Sequence, residues 1–364
     1  MVIMKCISLL LFICTLSVQT AWGARAKVDD LSKDPYRSAL VIDANSGKIL
    51  FEDHAGTTVY PASVLKLMDL LVILEQVEQG KLRLDEMVQV TKESAQMGGS
   101  QVYLDPKEQF SVEDLLYALA IQSANDAAVA LAIHVAGSTQ EFIAMMNRRA
   151  EELGMNDTQF HSVHGLPPSK GQKPDETTAL DLSILSRELV KRVEIFEYTG
   201  TKERPFRDGK FIMRTHNHLL GRVIGCDGFK TGYFKAAGFS IVATAQRDGV
   251  RVIAIVMGSK NRKIRDAKAE ELLAKGFALV ATMPDDAIVE SRVEPVSEKT
   301  ETAPLPKPES VEPPDKQKEA VESSGGGWAM FFLGLAVGVA ISALLAIYMT
   351  KKRSKKPSNY LKYS

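Results

Sequence analysis

Two uncharged apolar runs, one near each end, constrain this 364-residue chain more tightly than any other feature. The first, residues 6–18, follows Lys5 and precedes small residues at Ala21 and Gly23, or at Ala24 and Ala26. That is the pattern of a cleavable export signal over residues 1–26. The run is shorter than the ~20 residues a bilayer-spanning helix needs, which argues against an uncleaved anchor. The second run, residues 328–348, also carries no charge. About 21 residues at ~1.5 Å rise reach about 31 Å, the thickness of the hydrocarbon layer, so a transmembrane helix is expected over residues 328–349. Trp328 and Tyr348 stand at its two ends, where interfacial aromatics belong. Lys351, Lys352, Arg353, Lys355 and Lys356 follow at once, which puts the tail, residues 350–364, in the cytoplasm. Both ends therefore place the body on the outer face of the cytoplasmic membrane, held by a single span.

Between body and span, residues 285–327 are dense in Pro, Glu, Lys and Ser and almost free of aromatics. Such a stretch buries too little apolar surface to fold and reads as a tether. The body, residues 27–284, is then one domain with Cys226 as its lone cysteine, since Cys6 and Cys14 lie in the export signal. A lone cysteine forms no intrachain disulfide, and Cys226 reads as a small buried hydrophobe. Lys plus Arg and Asp plus Glu both number 45, so no global field holds a polyanion. With no basic patch in the body, a nucleic-acid partner is not expected.

Apolar periodicity orders the body. SALVIDANSGKILFED predicts two strands around a turn at Asn45-Ser46-Gly47. Helices are expected over 64–79, 115–120 with Ser111 and Asp114 as a cap, 126–136, 139–153 and 179–192. Strands return at 210–214, 239–246 and 251–257, before a last helix near 265–278. Strands, many helices, strands, helix is the order of an α/β (α+β) fold. It predicts an antiparallel sheet flanked by helices, with the first and last strands in one sheet and a helical lobe inserted between them.

Three short motifs carry chemistry: Ser63-Val64-Leu65-Lys66, then Ser123-Ala124-Asn125, then Lys230-Thr231-Gly232. A serine hydroxyl needs a nearby base to be a nucleophile. Positions i and i+3 share a helix face, so Ser63 and Lys66 can meet, and a helix start after Pro61, burial and a second cation would all disfavour the charged ammonium. Ser123 offers a hydroxyl for proton relay, and Asn125 an amide to hold a substrate backbone, at the junction of two expected helices. Lys230-Thr231-Gly232 sits at the mouth of the strand region near Phe239. There a flat glycine would let a peptide lie along a sheet edge and Thr231 would bond a carboxylate. Each motif alone is common; the three in order, 60 and then 107 residues apart in an exported chain, are not.

With these motifs the chain resembles the low-molecular-mass penicillin-binding proteins, the serine D-Ala-D-Ala carboxypeptidase family (peptidase S11-like). The likeness includes PASVLKLM, MGGSQVYLDPKEQFSVEDLLYAL, IQSANDAAVALA, HGLP, TALDLSIL, GCDGFKTGYF and Gly276-Phe277, and spans residues 38–281. The resemblance implies a β-lactamase/transpeptidase-like fold and an activity that removes the terminal D-alanine from peptidoglycan stem pentapeptides, with β-lactams as covalent inhibitors and no cofactor. It implies Ser63 as nucleophile, Lys66 as base, and Ser123 and Lys230 in proton relay and electrostatics. Asn125 would hold the substrate backbone, Thr231 and Arg265 the terminal carboxylate, and the amides of Ser63 and Tyr233 the oxyanion. Asp105-Pro106-Lys107-Glu108 departs from a Gly-Glu that many relatives carry, and a tether stands where some have a second β-rich domain.

Alternatives remain at this stage. The same chemistry on a cross-bridge makes an endopeptidase. A β-lactamase needs a carboxylate-activated water, and Glu176 is not in the setting that class A enzymes use. A wall-binding module would have no use for Lys66 beside Ser63. His161-x-x-His164 and His216-x-His218 lack the Cys or carboxylates to complete a metal site, so no metal is expected.

Overall fold

The computed structural model describes residues 25–26 and 28–282. Of the segments expected from the sequence, the tether, the membrane span, the basic tail and all of the export signal but Arg25 and Ala26 lie outside the described residues. Within them no single helix is long and apolar enough to cross a membrane.

The chain opens with β1 (Ser38–Asp43) and β2 (Ile49–Asp53), joined through Gly47 at φ +76. A 3₁₀ turn, Ala62–Leu65, runs into α1 (Lys66–Glu78). The helical lobe follows with β3 (Met87–Gln89), α2 (Lys92–Ala95), β4 (Gln109–Ser111), α3 (Val112–Tyr117), α4 (Asn125–Ala136), α5 (Thr139–Leu153), α6 (Ala179–Leu189) and α7 (Ile195–Thr199). The chain then returns through β5 (Glu203–Phe206), β6 (Phe211–Arg214), β7 (Cys226–Phe234), β8 (Gly238–Arg247) and β9 (Val250–Ser259) to α8 (Arg262–Ala281).

Side-chain oxygens start several of the helices, among them that of Ser111, which the sequence marks as a cap. Ser111, Ser138, Thr178 and Asn261 accept backbone N–H groups that the first helical turn leaves without partners. Five antiparallel strands form the main sheet in the order β2-β1-β9-β8-β7, so the first strands do pair with the last. Alternation along the strands divides the interior. Leu40, Ile42, Val242, Ile253, Ile255 and Met257 face the helical lobe. Ala39, Val41, Ile241, Ala243, Val252 and Val256 face α8 through Ala269, Leu272 and Leu273.

The structure departs from the sequence reading in several places; the helix expected over 115–120 spans Val112–Tyr117 and the last helix begins at Arg262. The helix expected over 64–79 begins as a 3₁₀ turn. The helix expected to reach residue 192 ends at Leu189. The strand near 210–214 pairs with β5 in a separate ribbon instead of joining the main sheet. Lys230-Thr231-Gly232 lies inside the edge strand β7 and not at the mouth of a neighbouring strand. Two glycines in nine residues hide that strand from any propensity-based reading, because glycine adds no side chain to the pleat.

At Gly276 α8 lies close against the sheet: a Cβ there would stand 2.6 Å from Val252 Cγ1 and 2.8 Å from Val41 Cγ1. Both neighbours are buried β-branched side chains with little room to give. Gly276→Val should therefore lower stability by about 1–3 kcal/mol through overpacking, seen as a lower denaturant midpoint at unchanged slope.

Candidate active site

Ser63 lies on the 3₁₀ turn and Lys66 is the first residue of α1. In a 3₁₀ turn residues i and i+3 eclipse, which brings Lys66 Nζ to 3.2 Å from Ser63 Oγ. Ala62 enters the turn at φ +47, a left-handed conformation that costs an alanine about 1–2 kcal/mol. Two glycines hold it there. A Cβ on Gly165, itself at φ +70, would fall 2.2 Å from Ala62 O. A Cβ on Gly232 would fall 2.6 Å from Pro61 O and 3.0 Å from Ser63 N. The Ser63 turn is thus clamped between the HGLP loop and β7. Gly232 is required by the turn behind it as much as by any peptide along the edge.

Lys66 is fully buried and makes two further contacts, to Asn125 Oδ1 at 2.8 Å and His164 O at 2.7 Å. Burial lowers its pKa to about 8, against the opposite pull of the Asp69, Asp175 and Asp126 carboxylates. Asp69, one turn along α1, is buried with no partner for either oxygen among the described residues, and burial drives its carboxyl toward the neutral form. A neutral amine has two N–H donors and one lone pair. Asn125 Oδ1 and His164 O are acceptors only, so they take the donors and leave the lone pair for the Ser63 hydroxyl.

The other motif residues converge on the same cleft, about 340 Å³, which Ser63, Ser123, Asn125, Thr231, Gly232, Tyr233 and Arg265 help to line. Ser123 sits at φ +59 between a π-turn (Ala118–Gln122) and α4, at the junction the sequence predicts. Asn125 spends its carbonyl oxygen on Lys66 and one N–H on Gly98 O at 2.7 Å, which leaves one N–H for the cleft. Lys230 is buried, donates to Thr231 O at 3.2 Å, and is held well below the ordinary lysine range by burial and then by Lys66 and Arg265. Thr231 is buried beside it. Tyr233 is 54% exposed and stacks on Phe239 with ring centroids 4.0 Å apart. Arg265 reaches the cleft wall, yet its Nε and one terminal nitrogen pair with Asp266, and the other donates to Ser240 O at 3.0 Å.

Several residues that shape this site escape the sequence reading. Asp175 accepts from Ser162 Oγ at 2.6 Å and from the amides of His161 and Ser162, and Ser162 Oγ in turn accepts from Gly165 N. That chain sets the loop whose His164 carbonyl orients Lys66. Asp126, next to Asn125, accepts from Val102 N and Leu104 N and fixes the loop that supplies Gly99 and Ser100 to the cleft. Arg207 clamps the same loop through Val102 O, Tyr103 O and Glu108. The adjacency of Asp126 to the second motif was the one available signal; the others act through backbone atoms that no residue pattern marks. His164 and His216 are kept neutral at pKa values of about 3 and about 4, chiefly by burial. Among the described residues no three metal-ligating side chains converge. Cys226 is half-buried, and burial raises its thiol to about 11.

A serine set against a buried lysine of depressed pKa, beside an edge strand open to an extended peptide, defines a serine acyl-transfer peptidase of the penicillin-binding type. The model of the D-alanyl-D-alanine carboxypeptidase family, peptidase S11, matches residues 28–261. The chain belongs to that family. It is 36% identical over 251 residues to the D-alanyl-D-alanine carboxypeptidase DacF of Bacillus subtilis, a match covering 68% of this chain and 64% of that one. It is 38% identical over 285 residues to DacC of Escherichia coli, covering 75% and 70%. Its fold is similar to ampicillin-bound penicillin-binding protein D2 of Listeria monocytogenes at a TM-score of 0.61 and 33% identity, covering 66% of this chain and 97% of that structure.

Titration of the Lys66 amine, followed by NMR of the labelled side chain, should give a midpoint near 8. A midpoint at the ordinary lysine value would mean that the dry cleft fails to discharge it.

Proposed function

We propose that this protein is a serine D-Ala-D-Ala carboxypeptidase that removes the terminal D-alanine from peptidoglycan stem pentapeptides through an acyl-enzyme at Ser63. The observation that carries the reading is the placement of Lys66 Nζ: 3.2 Å from Ser63 Oγ, with its other two hydrogen bonds running to pure acceptors. Ser63 attacks the carbonyl of the penultimate D-alanine and its proton passes to the Lys66 lone pair. The amides of Ser63 and Tyr233 take the oxyanion. The first is at the start of a helical turn, where an N–H has no intrahelical acceptor.

As the tetrahedral species collapses, the C–N bond breaks and the proton returns to the leaving amine through Ser123, in the field of Lys230. Thr231 and Arg265 hold the terminal carboxylate and Asn125 the peptide backbone. Water then repeats the sequence on the ester and frees Ser63. A β-lactam acylates the same hydroxyl, as the ampicillin-bound state of the Listeria relative supports. The catalytic body works on the outer face of the cytoplasmic membrane, exported by residues 1–26 and held by the span at 328–349. This placement rests on the apolar runs and the basic tail of the sequence.

The full-length protein should release D-alanine from a D-Ala-D-Ala pentapeptide, and Ser63→Ala should release none while its thermal melt stays within a few degrees. Labelled penicillin should form a covalent adduct that mass mapping places on Ser63. Adduct formation at another residue, or D-alanine release by Ser63→Ala, would falsify the reading.

Because the base is neutral Lys66, the acylation rate should climb with pH, pass its midpoint near 8 and level off above it. About a tenth of the maximal rate remains one pH unit below the midpoint. A profile flat from pH 6 to 9 would remove Lys66 from the base role.

A further inference from the structure

The cleft carries more positive charge than the binding of one terminal carboxylate uses. No Asp or Glu is among the side chains that line it, whereas Arg262 and Arg265 both do. The two arginines differ in state. Arg265 is buried, and Asp266 balances its charge. Arg262 is exposed. Among the described residues the ion pairs that α8 makes here are Arg265–Asp266, His218–Asp266, Arg222–Glu270 and Lys268–Glu271, and none involves Arg262.

Helix stability does not account for Arg262. It is the first residue of α8, where the helix field disfavours cations, and the first turn holds no acidic residue to offset it. It also stands three residues before Arg265, on the same helix face, and the two charges repel each other. A guanidinium that works against its own helix and its neighbour, yet opens into the catalytic cleft, is placed for an anion that arrives from outside.

We propose that Arg262 is a specificity-determining residue that binds a second carboxylate on the leaving side of the scissile bond. The cleft then favours peptides whose leaving D-amino acid carries an acidic group in addition to its own α-carboxylate. The proposal rests on the D,D-peptidase reading, in which Thr231 and Arg265 take the α-carboxylate at the inner end. Arg262, one turn earlier on α8 and exposed, is the outer cation of the pair. Its solvated position makes the contribution modest and sensitive to salt.

Three pentapeptides that differ only in the last residue, D-Ala, D-Glu or its neutral isostere D-Gln, separate charge from size. With the full-length protein, kcat/KM for the D-Glu peptide should exceed that for the D-Gln peptide about two- to fivefold at low salt, the range of an exposed ion pair, and the ratio should shrink toward one at high salt. Arg262→Gln should bring the ratio to about one at low salt, and Arg262→Glu should invert it. Arg262→Lys should keep part of it. A wild-type ratio of one, a preference that survives in Arg262→Gln, or cleavage of the D-Ala peptide with none of the D-Glu peptide would each overturn the proposal. Loss of the Ser63 penicillin adduct in the wild-type protein would instead strike the peptidase reading itself.

Discussion

Everything in this cleft depends on the removal of one amine from water. Lys66 can take a proton only through its neutral form, and burial brings that form within reach by lowering the pKa to about 8. Around it the fold supplies acceptors and no strong donor: Asn125 Oδ1 from the start of α4 and His164 O from the HGLP loop. A charged ammonium could use those acceptors too. What favours the neutral form is the dry setting, which the apolar lobe around Leu65, Leu67 and Met68 maintains.

That arrangement requires backbone to approach backbone more closely than side chains permit. The Ser63 turn lies between Gly165 and Gly232, and a methyl group on either would collide with main-chain atoms of Pro61 or Ala62. The strain at Ala62 is kept because the loop on one side and the edge strand on the other over-determine it. The loop is in turn fixed by Asp175 through Ser162, and the opposite wall by Asp126 and Arg207. Carboxylates outside the three motifs, Asp175 and Asp126, therefore set the geometry around Ser63 and Lys66 without touching Ser63.

The charge pattern of the cleft divides along its length. Toward the inner end, Lys66 and Lys230 are buried cations whose pKa values burial depresses, suited to moving a proton. Beside them Arg265 is buried and neutralised by Asp266, and at the mouth Arg262 is exposed and not so neutralised. A gradient of this kind, with weakened charge inside and free charge at the entrance, suits an anionic peptide that enters by its terminus and leaves Lys66 free to discharge.

Much of this was legible in the residues. Hydrophobic periodicity marked the helices and the paired first and last strands, since a strand or helix that buries one face must repeat at its own period. The three motifs marked the residues that the fold brings to one cleft, Ser63 and Lys66, Ser123 and Asn125, and Thr231 and Gly232. Tertiary structure alone decided the rest. The 3₁₀ entry to α1, the edge-strand status of Lys230-Thr231-Gly232, the orientation of Lys66 by a backbone carbonyl and the pairing of Arg265 with Asp266 are contacts between segments far apart in the chain or through main-chain atoms. A linear sequence reports which side chains exist and how they repeat. Which backbone groups meet, and how dry the meeting place is, arises only when the chain closes on itself.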